Sequence, residues 1–205
     1  MRQIGLMGGS FNPIHCGHLN MGRAALKSGV VDQVLFLPSG NPPHKRAGLE
    51  DKAHRLAMAR LAVQGEENMD ICTEEIEREG VIYTVDTLTI LHEKMPDCRF
   101  HYLIGADTLC VLHTWRRAQD VIRLCAFLVV MRPGEDEKQV MAAAERWRML
   151  GADISFLPAR MMDISSTQIR TRLEARQPLD GLVPPKVEAY IRENGLYQTH
   201  GDDAR

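Results

Sequence analysis

Short apolar blocks alternate with helix-like segments along almost the whole chain, and this alternation limits the folds open to it. Blocks of this length and composition are typical of strands that are buried on both faces of a parallel sheet. The blocks are Gln3–Met7, Gln33–Leu37, Met69–Thr73, Phe100–Ile104, Ala126–Met131 and Ile154–Leu157. Because strands that alternate with helices form right-handed crossovers, we predict an α/β fold, a doubly wound Rossmann-like parallel sheet with helices on both faces.

The intervening segments carry ordinary helix signals, such as a glycine stop at Gly29. We predict helices over 17–28, 51–64, from 83–84 to about 94, in the stretch after 105, and over 135–150, 166–176 and 185–194. The 205 residues suit one domain over 1–198, with a small helical region at about 159–198. We expect 38–50 to be a loop, because it is rich in proline, glycine and charge, and 199–205 to be a flexible tail.

Composition excludes several classes of protein. The net charge is −2 and the pI is about 6.4, so bulk charge does not favour nucleic acid or an anionic membrane as a partner. No apolar run approaches the roughly 20 residues of a membrane span, and the first residues lack the pattern of a signal peptide. Five widely spaced cysteines favour a reducing cytoplasm over a disulfide framework. The oligomeric state, including a homo-oligomer, stays open.

The turn after the first strand, GGSFNPIHCGHL (8–19), is the first candidate site. It is neither GxGxxG nor GxxxxGK[ST], but its small residues allow backbone N–H groups to approach an anion. His15 and His18 follow at the start of a helix, where free N–H groups and the helix dipole also favour an anion. Two alternatives remain: capping or surface histidines, and a metal site formed by His15, Cys16 and His18.

The segment ISSTQIR (164–170) is the second candidate site. Ser165 and Gln168 have the spacing of a capping box, so a helix should begin here. Its first turn then carries the hydroxyls of Ser166 and Thr167, with Arg170 one turn further on. Hydroxyls, free N–H groups and a guanidinium at one helix start suit a polyphosphate. The alternative is an ordinary capped helix with a surface arginine.

These two segments resemble the nucleotidyltransferase superfamily marked by (H/T)xGH and ISSTxxR motifs, and both motifs are intact here. The chain is more specifically similar to the bacterial nicotinate-nucleotide adenylyltransferase family, and the similarity spans almost the whole chain. The further segments that carry it are NPPHK (41–45), YTVDTL (83–88), LIGADTL through Trp115 (103–115), MRPG (131–134) and AYIRENGLY (189–197).

The resemblance implies adenylyl transfer from ATP to nicotinate mononucleotide, giving nicotinate adenine dinucleotide and pyrophosphate, in NAD biosynthesis. It implies direct in-line attack without a covalent intermediate, and Mg²⁺ bound to the ATP phosphates. His15, His18 and Arg170 would be catalytic. The implied ATP-binding residues are Gly8, Gly9, Ser10, Phe11, His15, His18, Gly105, Asp107, Ile164, Ser166, Thr167 and Arg170. The implied nicotinate-mononucleotide-binding residues are Lys45, Tyr83, Thr84, Asp107, Trp115 and Arg132.

Three of these roles have a physical basis of their own. The helix start at Tyr83-Thr84 could receive a carboxylate on its free N–H groups, and Trp115 could stack on a pyridine ring, its alternative being plain core. Asp107 could accept hydrogen bonds from ribose hydroxyls, its alternative being a helix N-cap. A thiol at a helix N-terminus often has a lowered pKa, so we also expect Cys16 to be sensitive to oxidants and alkylators.

The alternative functions are a nicotinamide-mononucleotide or dual-specific adenylyltransferase, a relative that uses phosphopantetheine, and a non-catalytic nucleotide sensor. The 83–115 segment argues against phosphopantetheine, and the intact His15, His18, Ser166 and Arg170 argue against a sensor.

Overall fold

The structure is a computed structural model that describes residues 1–40, 48–132, 134–160 and 162–198. Within these ranges six strands form one parallel sheet in the order β3-β2-β1-β4-β5-β6. The strands are β1 Arg2–Gly9, β2 Gln33–Pro38, β3 Met69–Ile71, β4 Cys98–Gly105, β5 Ala126–Met131 and β6 Ile154–Arg160. The predicted doubly wound, Rossmann-like α/β fold is therefore confirmed.

The helices of the described ranges fall where the sequence predicts them, with bounds that shift by a few residues. They are α1 Cys16–Lys27, α2 Lys52–Val63, α3 Glu74–Glu77, α4 Thr84–Lys94, α5 Ala106–Cys110, α6 Ala118–Leu124, α7 Glu137–Met149, α8 Ser166–Glu174 and α9 Pro185–Glu193. The four-residue helix α3 was not predicted, because one turn is too short to show periodicity. None of the helices described is long and apolar enough to cross a membrane.

Apolar side chains form a core on each face of the sheet. Alternate residues of β1 face opposite ways, so that Leu6 joins one cluster and Met7 the other. The Met7 cluster contains residues of α1, α2, α8 and α9, and the Leu6 cluster contains residues of α4, α5, α6 and α7. The sheet thus has helices on both faces, and its strands are apolar on both sides.

The strand order reverses between β1 and β4, which pair with each other at the middle of the sheet. From β1 the chain continues through α1 to β2 on one side, and from β4 it continues to β5 on the other. Ligands of doubly wound sheets bind at such a switch point, beyond the carboxyl ends of the strands. Both β1 and β4 end here in glycine, at Gly9 and Gly105.

Some sequence predictions concern residues outside the described ranges. They are Lys45 with the rest of 41–47, Pro133 within MRPG, and the tail 199–205.

Candidate active site

A cleft of about 1180 Å³ opens at the switch point. Pockets for one small ligand usually enclose about 300–1,000 Å³, so this cleft lies just above that range. It brings together residues from the ends of β1 and β5 and from the starts of α1, α4 and α8. The predicted residues that line it are Gly8, Gly9, Ser10, His15, His18, Tyr83, Thr84, Trp115, Arg132, Ile164, Ser166, Thr167 and Arg170.

Three other predicted residues are described but do not line this cleft. The ring of Phe11 is buried and packs edge-on against His18, with centroids 5.0 Å apart. Gly105 ends β4 and is the N-cap of α5, so the alternative of Asp107 as an N-cap is wrong. Asp107 instead pairs with Arg132 at the edge of the cleft, with Oδ2 3.5 Å from Nη1.

His15 and His18 form a stacked pair, with ring centroids 3.6 Å apart. His15 is the N-cap residue of α1, and its N–H donates to Nδ1 of His18 at 3.2 Å. Because Nδ1 of His18 accepts this bond, we assign the ring proton to Nε2, which becomes the donor available to a ligand. Gly17 between them allows the close approach of the His15 ring, because a Cβ there would lie 3.0 Å from Nδ1 of His15.

Burial keeps both imidazoles neutral near pH 7. Desolvation lowers the pKa of His15 to about 4, with a smaller contribution from the charge of Arg132. Desolvation also lowers the pKa of His18 well below its ordinary value, with contributions from His15 and Arg132. The charge of Arg132 therefore acts on both rings, while its Nη1 lies 3.5 Å from Oδ2 of Asp107. The pair is therefore set to donate N–H groups to an anion, and an anion would in turn raise both pKa values.

The alternatives for the histidines can now be judged. His15 is only 4% exposed and His18 is half-buried, so the surface alternative is wrong. The capping alternative is confirmed, because the His18 side chain accepts from the N–H of the N-cap residue His15. No cluster of three His, Cys, Asp or Glu side chains among the described residues could hold a metal ion. Burial raises the pKa of the Cys16 thiol, so the lowered pKa expected at this helix start is wrong.

The second motif is attached to the first by hydrogen bonds. Ser165 is the N-cap of α8, and its hydroxyl accepts from the N–H of Gln168, as predicted. Ser166, the residue directly after this N-cap, donates from Oγ to the carbonyl of Pro13 at 2.9 Å. Arg170 donates from Nη1 to the carbonyl of Asn12 at 2.8 Å.

These contacts decide what the motif can still offer to a ligand. Nη2 of Arg170 donates to Oγ1 of Thr167 at 3.2 Å, which leaves further guanidinium donors and the Thr167 hydroxyl proton. Ser166 has given its only hydroxyl proton to Pro13, so its side chain positions the loop. The alternative for this segment, an ordinary capped helix with a surface arginine, is therefore wrong, because Arg170 donates a hydrogen bond to the loop before α1.

Aromatic side chains form the opposite part of the cleft. Tyr83 is the N-cap of α4 and Thr84 begins the helix, as predicted, so the first-turn N–H groups lack intrahelical acceptors. Trp115 is half-buried and packs edge-on against Tyr102, with ring centroids 5.6 Å apart. The alternative of Trp115 as plain core is wrong, because the ring lines the cleft. The guanidinium of Arg116 lies 4.6 Å from the centroid of the Tyr83 ring.

Tyr102 also explains why Gly8 must be a glycine. A Cβ at Gly8 would lie 2.1 Å from the Tyr102 hydroxyl, far inside contact distance. The sequence argument assigned Gly8 to ligand approach, but its first requirement is space for this hydroxyl.

Sequence reasoning missed several residues of the cleft, including Asn12, Tyr102 and Arg116. Asn12 lies inside the first motif, where its buried side chain could not be foreseen. Tyr102 lies in an apolar strand, where a tyrosine is indistinguishable from ordinary core. For Arg116, the one available signal was that two arginines, Arg116 and Arg117, directly follow Trp115.

Comparisons with known proteins identify the family of the chain. The model of the cytidylyltransferase-like family matches residues 6–172. A probable nicotinate-nucleotide adenylyltransferase of Neisseria meningitidis serogroup C / serotype 2a is 39% identical over 201 residues, covering 97% of this chain and 100% of the relative. A probable nicotinate-nucleotide adenylyltransferase of Gloeobacter violaceus is 40% identical over 197 residues, covering 95% and 96%.

A solved structure supports the fold independently. Plasmodium falciparum nicotinic acid mononucleotide adenylyltransferase complexed with NaAD superimposes with a TM-score of 0.78, covering 96% of this chain and 98% of that chain at 18% identity. Identity this low supports the fold alone, whereas the curated relatives and the family model carry the assignment. The chain therefore belongs to the cytidylyltransferase-like family, and within it to the nicotinate-nucleotide adenylyltransferases.

Proposed function

We propose that this protein transfers the adenylyl group of ATP to nicotinate mononucleotide and releases pyrophosphate, a step of NAD biosynthesis. One observation carries the proposal: Arg170 and Ser166 bond to the carbonyls of Asn12 and Pro13, so the two motifs face one cleft. The relatives named for this activity support the choice of substrates.

The reaction is a single in-line displacement. A phosphate oxygen of nicotinate mononucleotide attacks the α-phosphorus of ATP and forms the new P–O bond. The bond from that phosphorus to the bridging oxygen of the β-phosphate breaks, and pyrophosphate leaves with the bonding electrons. No side chain has to act as a nucleophile, so the protein contributes position and charge neutralisation.

The phosphates of ATP lie between the histidine pair and the start of α8. Nε2–H of His18 and the ring of His15 donate to phosphate oxygens, while Arg170 and Thr167 contact the β and γ phosphates. Arg132 adds positive charge beside the histidines. These donors are most effective where negative charge grows on the departing pyrophosphate. Gly9 and Ser10 supply backbone contacts where the two substrates meet.

Mg²⁺ enters as part of the substrate, bound to the ATP phosphates. The donor set of the cleft fits this arrangement, because its lining is rich in N–H donors and cations rather than in clustered carboxylates. Mg²⁺ commonly binds through substrate phosphates with few protein ligands. Bound in this way, it would neutralise phosphate charge alongside Arg170.

The acid substrate suits the other end of the cleft better than the amide. Its carboxylate would meet the free N–H groups at the start of α4, with the positive charge of Arg116 over Tyr83 close by. Trp115 offers its face to the pyridine ring. An amide carries no charge for these groups to stabilise, so we propose a preference for nicotinate mononucleotide.

The test is pyrophosphate release with Mg²⁺ and ATP, comparing nicotinate mononucleotide with nicotinamide mononucleotide. We expect turnover with the acid, little with the amide, and a loss of about 10²-fold or more in kcat for His18→Ala. His113→Ala, at an exposed histidine outside the cleft lining, is the matched control and should keep wild-type kcat. Equal turnover of both substrates would favour the dual-specific alternative. ATP binding without turnover of either would favour the sensor.

We also propose that the protein works in a reducing compartment, the cytoplasm. All five cysteines are free thiols, which suits that environment.

A further inference from the structure

Arg55 is a buried cation beneath the cleft that the chemistry above does not use. It lies in α2 and is 1% exposed. Its guanidinium donates to four backbone carbonyls: Nη1 to Ser10 and Ser39 at 2.7 Å each, Nη2 to Gly40 at 3.0 Å, and Nε to Glu50 at 3.0 Å. One side chain thus joins three separate segments, and Ser10 and Ser39 line the cleft.

The cost of burying this charge makes its position significant. In the part of the chain that the structure describes, Arg55 forms no ion pair with a carboxylate. Desolvation lowers the pKa of its guanidinium, while the nearby Tyr197 and Asp51 act in the opposite direction. Burying a charge without an ion-pair partner is costly, and here the cost is offset by the four hydrogen bonds to backbone carbonyls, which would lose this donor if an apolar residue replaced Arg55.

Peptide geometry shows what the guanidinium does for the loop. In a planar trans peptide the C=O of one residue and the N–H of the next point in opposite directions. Because Arg55 draws the Ser10 carbonyl inward, the N–H of Phe11 points the other way. The same holds for the Ser39 carbonyl and the N–H of Gly40. Arg55 thereby holds electronegative carbonyls, which would repel phosphate, on the side of the backbone that faces the interior.

The β1 and β2 ends are already close at this point. The N–H of Ser39 donates to the carbonyl of Gly9 at 2.9 Å. Arg55 bridges the same two segments from below, through its Nη1 bonds to Ser10 and Ser39. The cation and the strand ends together fix one geometry for the backbone that lines the cleft.

We propose that Arg55 is a positioning residue for polyphosphate binding: it fixes the backbone at residues 10 and 39–40 and adds a positive charge beneath the cleft that forms no ion pair among the described residues. The proposal rests on the proposed function only in taking ATP as a ligand.

The test compares the Kd values of ATP, inorganic tripolyphosphate and adenosine by calorimetry in the wild type and in Arg55→Lys and Arg55→Met. We expect the Kd of ATP and of tripolyphosphate to rise about tenfold in Arg55→Lys, which keeps the charge but loses the planar fork. Arg55→Met should weaken both further. The Kd of adenosine should stay within about twofold, since adenosine has no phosphate. Arg60→Met, at an exposed arginine of the same helix, is the control and should leave all three values unchanged.

A purely structural role predicts a different result. Partial unfolding lowers the number of binding sites in the titration but leaves the Kd of the folded molecules unchanged for every ligand. Kd values for ATP and tripolyphosphate within twofold of wild type, or an equal loss of adenosine affinity, would overturn the proposal.

A second measurement keeps Arg55 in place, in case the variants do not fold. Nitrogen-15 spectra of the wild-type arginine side chains should show the slowly exchanging Arg55 Nε–H, identified by its contacts to residue 50, shifting with tripolyphosphate and not with adenosine. An unmoved signal at saturating tripolyphosphate would refute the proposal. Neither experiment requires turnover, so wild-type protein that binds ATP without forming product would disprove the proposed function alone.

Discussion

Replacing Gly8 by alanine should disturb the pyridine side of the cleft through Tyr102. The new Cβ would lie 2.1 Å from the Tyr102 hydroxyl, whereas ordinary contacts begin at 3.4 Å, so the ring must retreat by more than about 1 Å. Tyr102 is 6% exposed and packs edge-on against Trp115. The Tyr102 ring cannot retreat without displacing its neighbours. Trp115 is the neighbour that is only half-buried, so we expect Trp115 to move.

The size of the effect follows from overpacking. Extra atoms in a packed interior cost about 1–3 kcal/mol, and each kcal/mol lowers Tm by about 2–4 °C in a domain of this size. We therefore expect Gly8→Ala to lower Tm by about 2–12 °C. Because Trp115 is displaced, KM for nicotinate mononucleotide should rise by about tenfold. KM for ATP should rise less.

The assay measures Tm together with both KM values in three further variants. Tyr102→Phe removes the clashing atom and leaves Cζ as the nearest neighbour at 3.1 Å, so Gly8→Ala/Tyr102→Phe should recover most of the lost stability. The double-mutant cycle should give a coupling energy of about 1 kcal/mol or more. Gly5→Ala is the control in the same strand: its Cβ would meet Leu103 at 3.0 Å, so Tm should fall while KM stays unchanged.

Two results would refute this reasoning. A Gly8→Ala protein with wild-type Tm and KM would show that the ring moves freely. An equal defect with and without Tyr102→Phe would show that the hydroxyl is not the cause.

Three further predictions concern protonation and hydrogen bonding. The pKa of His15 is about 4 in the folded protein against 6.5 unfolded, so its contribution to stability is present above pH 6.5 and is lost as the pH falls towards 4. In urea unfolding, the unfolding free energy of His15→Gln should therefore fall less steeply over that pH range than that of the wild type. Identical pH dependence of the two unfolding free energies would contradict this. Tyr197→Phe removes the 2.8 Å hydrogen bond from the Tyr197 hydroxyl to Oδ1 of Asn12, and this oxygen still accepts from the N–H of Glu50. The unfolding free energy should therefore fall by only about 1 kcal/mol in denaturant titrations. An unchanged value would count against the bond. Cys16 should react with iodoacetamide at pH 7 more slowly than a free model thiol, because burial raises its pKa, and faster labelling than the model thiol would be the contrary result.

Local signals were sufficient to predict the scaffold and the two motifs. The apolar strand blocks and the helix stops depend on neighbouring residues, and they placed all six strands correctly within the described ranges. Ser165 was identified as an N-cap from its spacing to Gln168, and the structure shows that bond. The position of the cleft followed because parallel strands place their carboxyl ends at one edge.

Contacts between distant parts of the chain could not be predicted. Arg132 is expected from the resemblance to bind the mononucleotide, and this stays a prediction; that its charge also lowers the pKa of both histidines could not be foreseen. From its position at a helix start, Cys16 was expected to have a lowered pKa, because a single sequence does not show that the thiol is partly buried. Arg55 was absent from every motif, since its four carbonyl acceptors come from segments that meet only in the folded protein.

By itself the sequence determined the order of strands and helices, the two motifs and the family resemblance, because periodicity, capping and motif spacing are local properties. Tertiary structure decided why Gly8 must be a glycine, how Ser166 and Arg170 attach to the first loop, and that the two histidines are neutral. Each of these depends on distance and burial, which arise only when remote segments pack together and exclude water.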